Sequence, residues 1–435
     1  SDCICHVIFD RKNNVNNFLL YLQINKLTDR LTKQVFIKRL NLSVIAQEMS
    51  HGFHHKLFLK GLRKALQLSQ LNHVRCTFIK CNIQTQASRG WDEESTVRSG
   101  NPPWMEEKKY TRPEAVKLLL NNIVYEDDDI IGLSKPIGLS SFYVKEGVET
   151  TGPSTVFALK DLSIRFLLGD LAQHVTHIDD LEVVYPLHRS YSGIVVLSKN
   201  KKAEDKIKNF LKQVKPQKIL YQGFCAITTG IPGATEASQP LQGREETIFL
   251  KREKLFGDQK MSVLVDKPSK NMRESRLVTA SIIKGQILSS NPDLQSAVIK
   301  LHTNSEEQNS LEVYMVGKLS PILGDHLYSS RVGYVMDIPL KVPPENARPG
   351  SQKLKPKVKN ALWVKDSTSD LIPLHLHRYK ITLPDLHKKK GSPFGLHSPL
   401  PDYFMWSLDR LGLKLASFFT DESQTNTCQS ELPGS

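Results

Sequence analysis

Two short apolar runs three residues apart set the first limit on what this chain can fold into. Ile123-Val124-Tyr125-Glu126 and Ile130-Ile131-Gly132-Leu133 flank Asp127-Asp128-Asp129, and a polar triplet between β-forming runs predicts a β-hairpin. Just upstream, Thr111-Arg112-Pro113-Glu114 carries a capping box with Pro inside the first turn, which predicts a short helix through Leu120. Downstream, Tyr191 to Leu197 and Phe224 to Thr228 read as buried strands, with a basic helix from Lys201 to Val214 between them. Ala297 to His302, Leu311 to Met315 and Leu374 to Leu383 read as further strands. Strands and helices in irregular order, without an internal repeat, predict an α+β domain rather than a doubly wound one.

The chain has 435 residues, and Lys+Arg outnumber Asp+Glu by 59 to 45, a net charge of +14. A polyanion is therefore the natural partner to consider. The six cysteines (Cys3, Cys5, Cys76, Cys81, Cys225, Cys428) form no Cys-x-x-Cys pair and have no His at zinc spacing, so neither a disulfide framework nor a metal site is expected. No cofactor is expected either. No apolar run approaches the roughly 20 residues of a membrane span.

Residues 1–48 contain Asn-rich stretches such as Lys12-Asn13-Asn14-Val15-Asn16-Asn17 with no clear period, and read as translated leader or disordered chain. From Met49 to Trp91 there is no acidic residue, against seven basic ones: Lys56, Lys60, Arg63, Lys64, Arg75, Lys80 and Arg89. Leu59, Leu62, Leu66 and Leu71 can share a helical stripe opposite Lys60 and Lys64. A basic, acid-free, amphipathic segment is what a mitochondrial presequence requires; the alternative is a basic tail that touches RNA. Residues 92–111 read as a linker, 112–415 as one ordered domain and 416–435 as a disordered tail.

Five blocks inside the ordered domain together carry a resemblance. Val124-Tyr125-Glu126-Asp127-Asp128 followed by Ser134-Lys135-Pro136-Ile137-Gly138-Leu139 resembles the opening strand pair and KPxGL turn of RluA-type pseudouridine synthases. Ser192 to Lys199 resembles the end of the family's active-site motif, Phe224 to Gly230 its YxAxxxG strand, and Pro321 to Tyr328 its PIxGDxxY block. Leu374 to Arg378 with Ser398 to Tyr403 resembles the closing LHAxxL … APLPxDF segment. The resemblance covers about residues 112 to 415. It implies the pseudouridine synthase fold: a mixed, mostly antiparallel central sheet with flanking helices and a basic cleft.

It also implies a chemistry. Isomerising uridine breaks the bond from ribose to the base nitrogen and remakes it to a base carbon, so the nucleotide must leave its stack for a closed pocket. Three devices suffice: a carboxylate as nucleophile or base, a ring to stack on the base, and a cation that keeps the carboxylate ionised. In the family these are the Asp of HRLDxxTSG, the Tyr of YxAxxxG and the Arg of GRTHQIRVH. Counting back from Ser192-Gly193, the Asp position falls on His188; counting back from Gly324-Asp325, the Arg position falls on Glu312; and Phe224 takes the Tyr position. Asp and Arg are lost together, which avoids leaving one buried charge without its partner. The catalytic carboxylate is thus unknown from sequence, with Asp179 and Asp180 as the nearest substitutes and an ordinary loop turn as their blander reading.

RNA binding rests on distributed charge and survives such losses better than catalysis. Lys135, Arg189, Lys199, Arg331 and Arg378 lie in or beside the family blocks, so with Phe224 they are the expected RNA-binding residues. Lys201, Lys202, Lys206 and Lys208 add a basic helix, and Val332 to Leu371 reads as a Lys- and Pro-rich mobile loop. Two readings of function remain. One is a pseudouridine synthase of the mitochondrial matrix acting on messenger or ribosomal RNA, alone or beside other RNA-processing proteins. The other is a catalytically inactive RNA-binding relative that assists mitochondrial ribosome assembly.

Overall fold

The computed structural model describes residues 3–8, 19–24, 102–105, 110–142, 162–175, 180–256, 259–386 and 392–415. Residues 1–95 and 96–435 make separate units. In the first, β1 (Cys3–Ile8) pairs antiparallel with β2 (Leu19–Ile24), a hairpin that the sequence reading did not anticipate. The rest of the leader, the whole presequence segment and the 416–435 tail lie outside the described residues.

The second unit runs α1 (Arg112–Asn121), β3 (Ile123–Glu126), β4 (Ile130–Lys135), α2 (Ile164–Ala172), β5 (Glu182–Tyr185), β6 (Ser192–Ser198), α3 (Lys201–Val214), β7 (Gln222–Thr229), β8 (Glu245–Lys254), β9 (Lys260–Leu264), α4 (Lys270–Glu274), β10 (Thr279–Asn291) and β11 (Ser296–Thr303). It continues through α5 (Ser310–Gly317), β12 (Val332–Val335), β13 (Ile338–Lys341), α6 (Pro356–Ala361), β14 (Leu376–Leu383), β15 (Phe394–His397) and α7 (Asp402–Arg410). Among the described residues, eleven strands join in one sheet ordered β3-β4-β6-β14-β7-β11-β10-β8-β9, with β5 on β6 and β15 on β14. Only β6 and β14 pair in parallel; every other pairing in this sheet is antiparallel. The fold is α+β, with a mixed, mostly antiparallel sheet and flanking helices.

Local chemistry explains the starts of these elements. Glu114 reaches back to accept the Thr111 N–H at 2.9 Å and its hydroxyl at 2.8 Å, closing the first turn of α1. The Asp127 carboxylate accepts the N–H groups of Asp129 and Ile130 and so sets the hairpin turn. Asn200 caps α3 by accepting from the Ala203 N–H.

Period-two alternation sends Phe224 and Ala226 of β7 into one core and Cys225 and Ile227 into another on the opposite face. Val195 and Leu197 of β6 join the first core, while Ile194 and Val196 face a third beneath α3. Where β6 and β14 meet, Gly193 has a φ of +120°, and a Cβ there would run into the Arg378 backbone. Glycine is thus required for the central strands to come together.

Three expectations are corrected. Leu311 to Met315 is not a strand but the middle of α5, whose residues from Ser310 to Val316 are all buried. Leu311, Val313 and Met315 fall at alternate positions, and in a short helix enclosed on every side such a pattern cannot be told from a strand. Val332 to Leu371 is not a mobile loop: β12 and β13 form a hairpin, α6 follows, and Leu354, Val358, Leu362 and Val364 enter the second core. The linker supplies a core residue, since Trp104 is buried against Trp406 at 5.0 Å and His375 at 5.7 Å between ring centroids. No helix among the described residues is long and apolar enough to cross a membrane.

Candidate active site

The segment from Pro186 to Tyr191, between β5 and β6, carries His188 at the family's aspartate position. Its backbone is clamped to the Lys135–Leu139 turn. Lys135 Nζ donates to the carbonyls of Tyr191 at 2.6 Å, Leu139 at 2.9 Å, Pro136 at 3.1 Å and Arg189 at 3.3 Å. Ser141 Oγ donates to the Leu187 carbonyl and accepts its N–H, while Arg189 Nε donates to the Gly138 carbonyl at 2.9 Å. Burial, with the Arg378 and Arg189 cations nearby, pushes the Lys135 pKa well down, against the four carbonyls that favour its ammonium form.

His188 is exposed at the surface, its ring 5.1 Å from that of Tyr191. Desolvation, followed by the charges of Lys135 and Arg189, pushes its pKa down to about 4. Its Nδ1 accepts the Ser190 N–H at 3.3 Å. A neutral imidazole in this setting offers no carboxylate chemistry.

Behind His188 the wall is filled. Tyr191 Oη donates to Glu312 Oε1 at 2.7 Å, and Asn309 Nδ2 donates to the same oxygen at 3.0 Å. Glu312 is 3% exposed, its Oε2 has no partner, and burial raises its pKa. The family's Asp–Arg ion pair is thus answered here by a Tyr–Glu hydrogen bond. Phe224 packs edge-on to Tyr191 at 6.2 Å and is wholly buried, so its ring is covered and not offered to a base. Nearby, Asp325 Oδ1 accepts the N–H groups of Leu327 and Tyr328 while Oδ2 has no partner. Burial, then the Glu312 charge, pushes its pKa up to about 7.

Arg378 is wholly buried. Its guanidinium lies 4.5 Å over the Tyr185 ring and donates to the carbonyls of Ile194 and Pro186, to Gln222 Oε1 at 3.3 Å and to Glu306 Oε1 at 3.4 Å. It braces the wall from behind. The other expected RNA contacts are spread out. Lys199 is buried at the far end of β6, paired with Glu126 at 2.8 Å. Arg331 is buried over the Tyr328 ring at 4.8 Å and donates to the Ser262 carbonyl at 2.6 Å. Of the six residues expected to bind RNA, only Arg189 is not enclosed, because the cations inside the family blocks serve backbone carbonyls or, for Lys199, the Glu126 carboxylate.

Asp180 is exposed, and its N–H donates to the Lys199 carbonyl. It therefore lies a full strand from His188, about 20 Å at roughly 3.3 Å per residue, and is no substitute nucleophile; Asp179 lies outside the described residues. Sequence reasoning missed Tyr191, Glu306 and Asn309. Gln308 and Asn309 both have positive φ, 61° and 54°, where side chains are rarely found without functional or packing reasons. Among the described residues no cluster of three or more His, Cys, Asp or Glu could hold a metal.

No protein-family model matches the chain. It is similar to the mitochondrial mRNA pseudouridine synthase of Homo sapiens, 29% identical over 71% of this chain and 81% of that one. The counterpart from Bos taurus is 26% identical over 78% of this chain and 94% of its own length. A mitochondrial pseudouridylate synthase of Bos taurus is 28% identical over 69% of this chain and 72% of that one. Superposition on the solved human RNA pseudouridylate synthase domain containing 4 gives a TM-score of 0.49 at 23% identity, covering 69% of this chain and 96% of that one. These similarities span most of the chain and support its resemblance to RluA-type pseudouridine synthases.

Proposed function

We propose that this protein isomerises uridine to pseudouridine in mitochondrial RNA, working in the matrix on a messenger or ribosomal transcript. The observation that carries the reading is convergence. The KPxGL turn, the Ser192-Gly193 entry to β6, the Phe224 strand and Arg378 of the closing segment are far apart in sequence yet build one wall around Pro186–Tyr191. Sustained similarity to mitochondrial pseudouridine synthases supports the same reading.

One observation favours a second reading. Phe224 is sealed beneath Tyr191, and His188 stands where the family mechanism has its carboxylate. On that reading the protein is an RNA clamp without chemistry that assists mitochondrial ribosome assembly. The test is to incubate the purified full chain with mitochondrial transcripts and measure pseudouridine by mass spectrometry, with binding to the same RNAs followed in parallel. Pseudouridine at a defined position is the expected result. Tight binding without any conversion would establish the clamp instead.

A further inference from the structure

Three carboxylates lie near the wall, and their surroundings separate them. Glu312 is sealed at 3% exposure, tied to Tyr191 and Asn309, and shifted toward its protonated form. Asp325 is equally enclosed and spends one oxygen on two backbone N–H groups. Glu306 differs: its side chain is 20% exposed and its Oε1 is 3.4 Å from a guanidinium that is itself wholly buried.

That guanidinium fixes the position of Glu306. Arg378 Nη2 donates to the Pro186 carbonyl, two residues before His188, and Nη1 donates to both Gln222, two residues before Phe224, and Glu306. One side chain therefore holds the Glu306 carboxylate between the segment that has lost its aspartate and the strand that carries the aromatic residue. The backbone that presents Glu306 runs directly into the two left-handed residues Gln308 and Asn309, a conformation that clusters at functional sites.

We propose that Glu306, held by Arg378, is the catalytic carboxylate of this protein, in place of one on the Pro186–Tyr191 segment. The inference rests on the synthase reading above. In the reaction a Glu306 oxygen bonds to ribose C1′ as the C1′–N1 bond breaks and its electron pair leaves on the base. The base turns, its C5 forms the new bond to C1′, and the carboxylate departs with its own pair. The proton displaced from C5 ends on N1, so the product is an isomer and no co-reactant is consumed. Buried Arg378, 3.4 Å away, holds the carboxylate in place for the first step.

The experiment compares wild type, Glu306→Gln, Glu306→Asp and Asp180→Ala for pseudouridine formation on mitochondrial transcripts, with Tm and RNA dissociation constant measured for each. Glu306→Gln should lose at least about 100-fold in turnover while RNA affinity stays within about threefold, and Glu306→Asp should keep measurable turnover. Asp180→Ala should match wild type. Undiminished turnover by Glu306→Gln overturns the assignment and leaves the synthase reading standing. If Glu306→Gln does not fold, the aspartate variant decides: folded but no more active than buffer, it overturns the assignment. An inert wild type overturns the synthase reading itself, and the assignment with it.

Discussion

At Tyr191 a single hydroxyl decides whether Glu312 has a strong donor or is left with Asn309 alone. Removing one partner of a buried polar group costs about 1–3 kcal/mol, so Tyr191→Phe should lower unfolding stability by that amount, measurable by urea titration. Asp325 gives a pH signature. Its folded pKa of about 7 lies above the ordinary aspartate value near 3.9, so the folded state binds this proton more tightly than the unfolded chain. The resulting stability is complete below about pH 4 and is lost as pH rises to about 7. Asp325→Asn keeps the acceptor used by Leu327 and Tyr328 but cannot ionise. Its Tm relative to wild type should therefore climb between about pH 4 and 7 and level off above, and a flat difference would remove Asp325 as the titrating group. His375 and His377 act in the opposite sense. Burial pushes both down to about 3, so as neutral rings they favour the fold above about pH 6.5 and withdraw that support toward acid.

At the scale of elements, β6 and β14 meet in parallel at Gly193 and Arg378. Gly193→Ala puts a methyl group into the β14 backbone and asks an L-residue to hold a φ of +120°. Loss of soluble folded protein is expected, read by circular dichroism. The packed segment after β12 gives a second check. Leu362 is fully buried in the second core, so Leu362→Ala should cost about 2–5 kcal/mol. A mobile loop would lose nothing. The helix α3 matches its expected limits of Lys201 to Val214 because its apolar residues recur on one face, with Ala203, Ile207 and Val214 against the third core. The fully buried α5 has no such face, which is why it was misread.

At the scale of the whole molecule, four of the cations behind the net charge of +14, Lys135, Lys199, Arg331 and Arg378, lie in the interior. Exposed lysines such as Lys202, Lys208 and Lys212 on α3 then carry the electrostatic attraction. RNA affinity of the full chain should fall steeply with salt. The triple variant Lys202→Ala/Lys208→Ala/Lys212→Ala should bind more weakly and with a shallower salt slope, and an unchanged slope would place the RNA elsewhere.

The strands β3, β4, β6, β7 and β14 and the ends of α1 and α3 were legible in the sequence. Each is fixed by neighbours within a few residues: alternation, a capping residue, a turn carboxylate. The family blocks also marked the segments that gather around Pro186–Tyr191. What each side chain does there was decided only by the tertiary structure. Lys135 and Arg378 read as cleft cations, yet they are enclosed, because the Pro186–Tyr191 backbone presents carbonyls that only buried donors can satisfy. The Arg378–Glu306 pair joins residues 72 positions apart. No local period connects them; their distance depends on the parallel docking of β14 beside β6 and on the turn into α5, and sequence spacing carries no record of either.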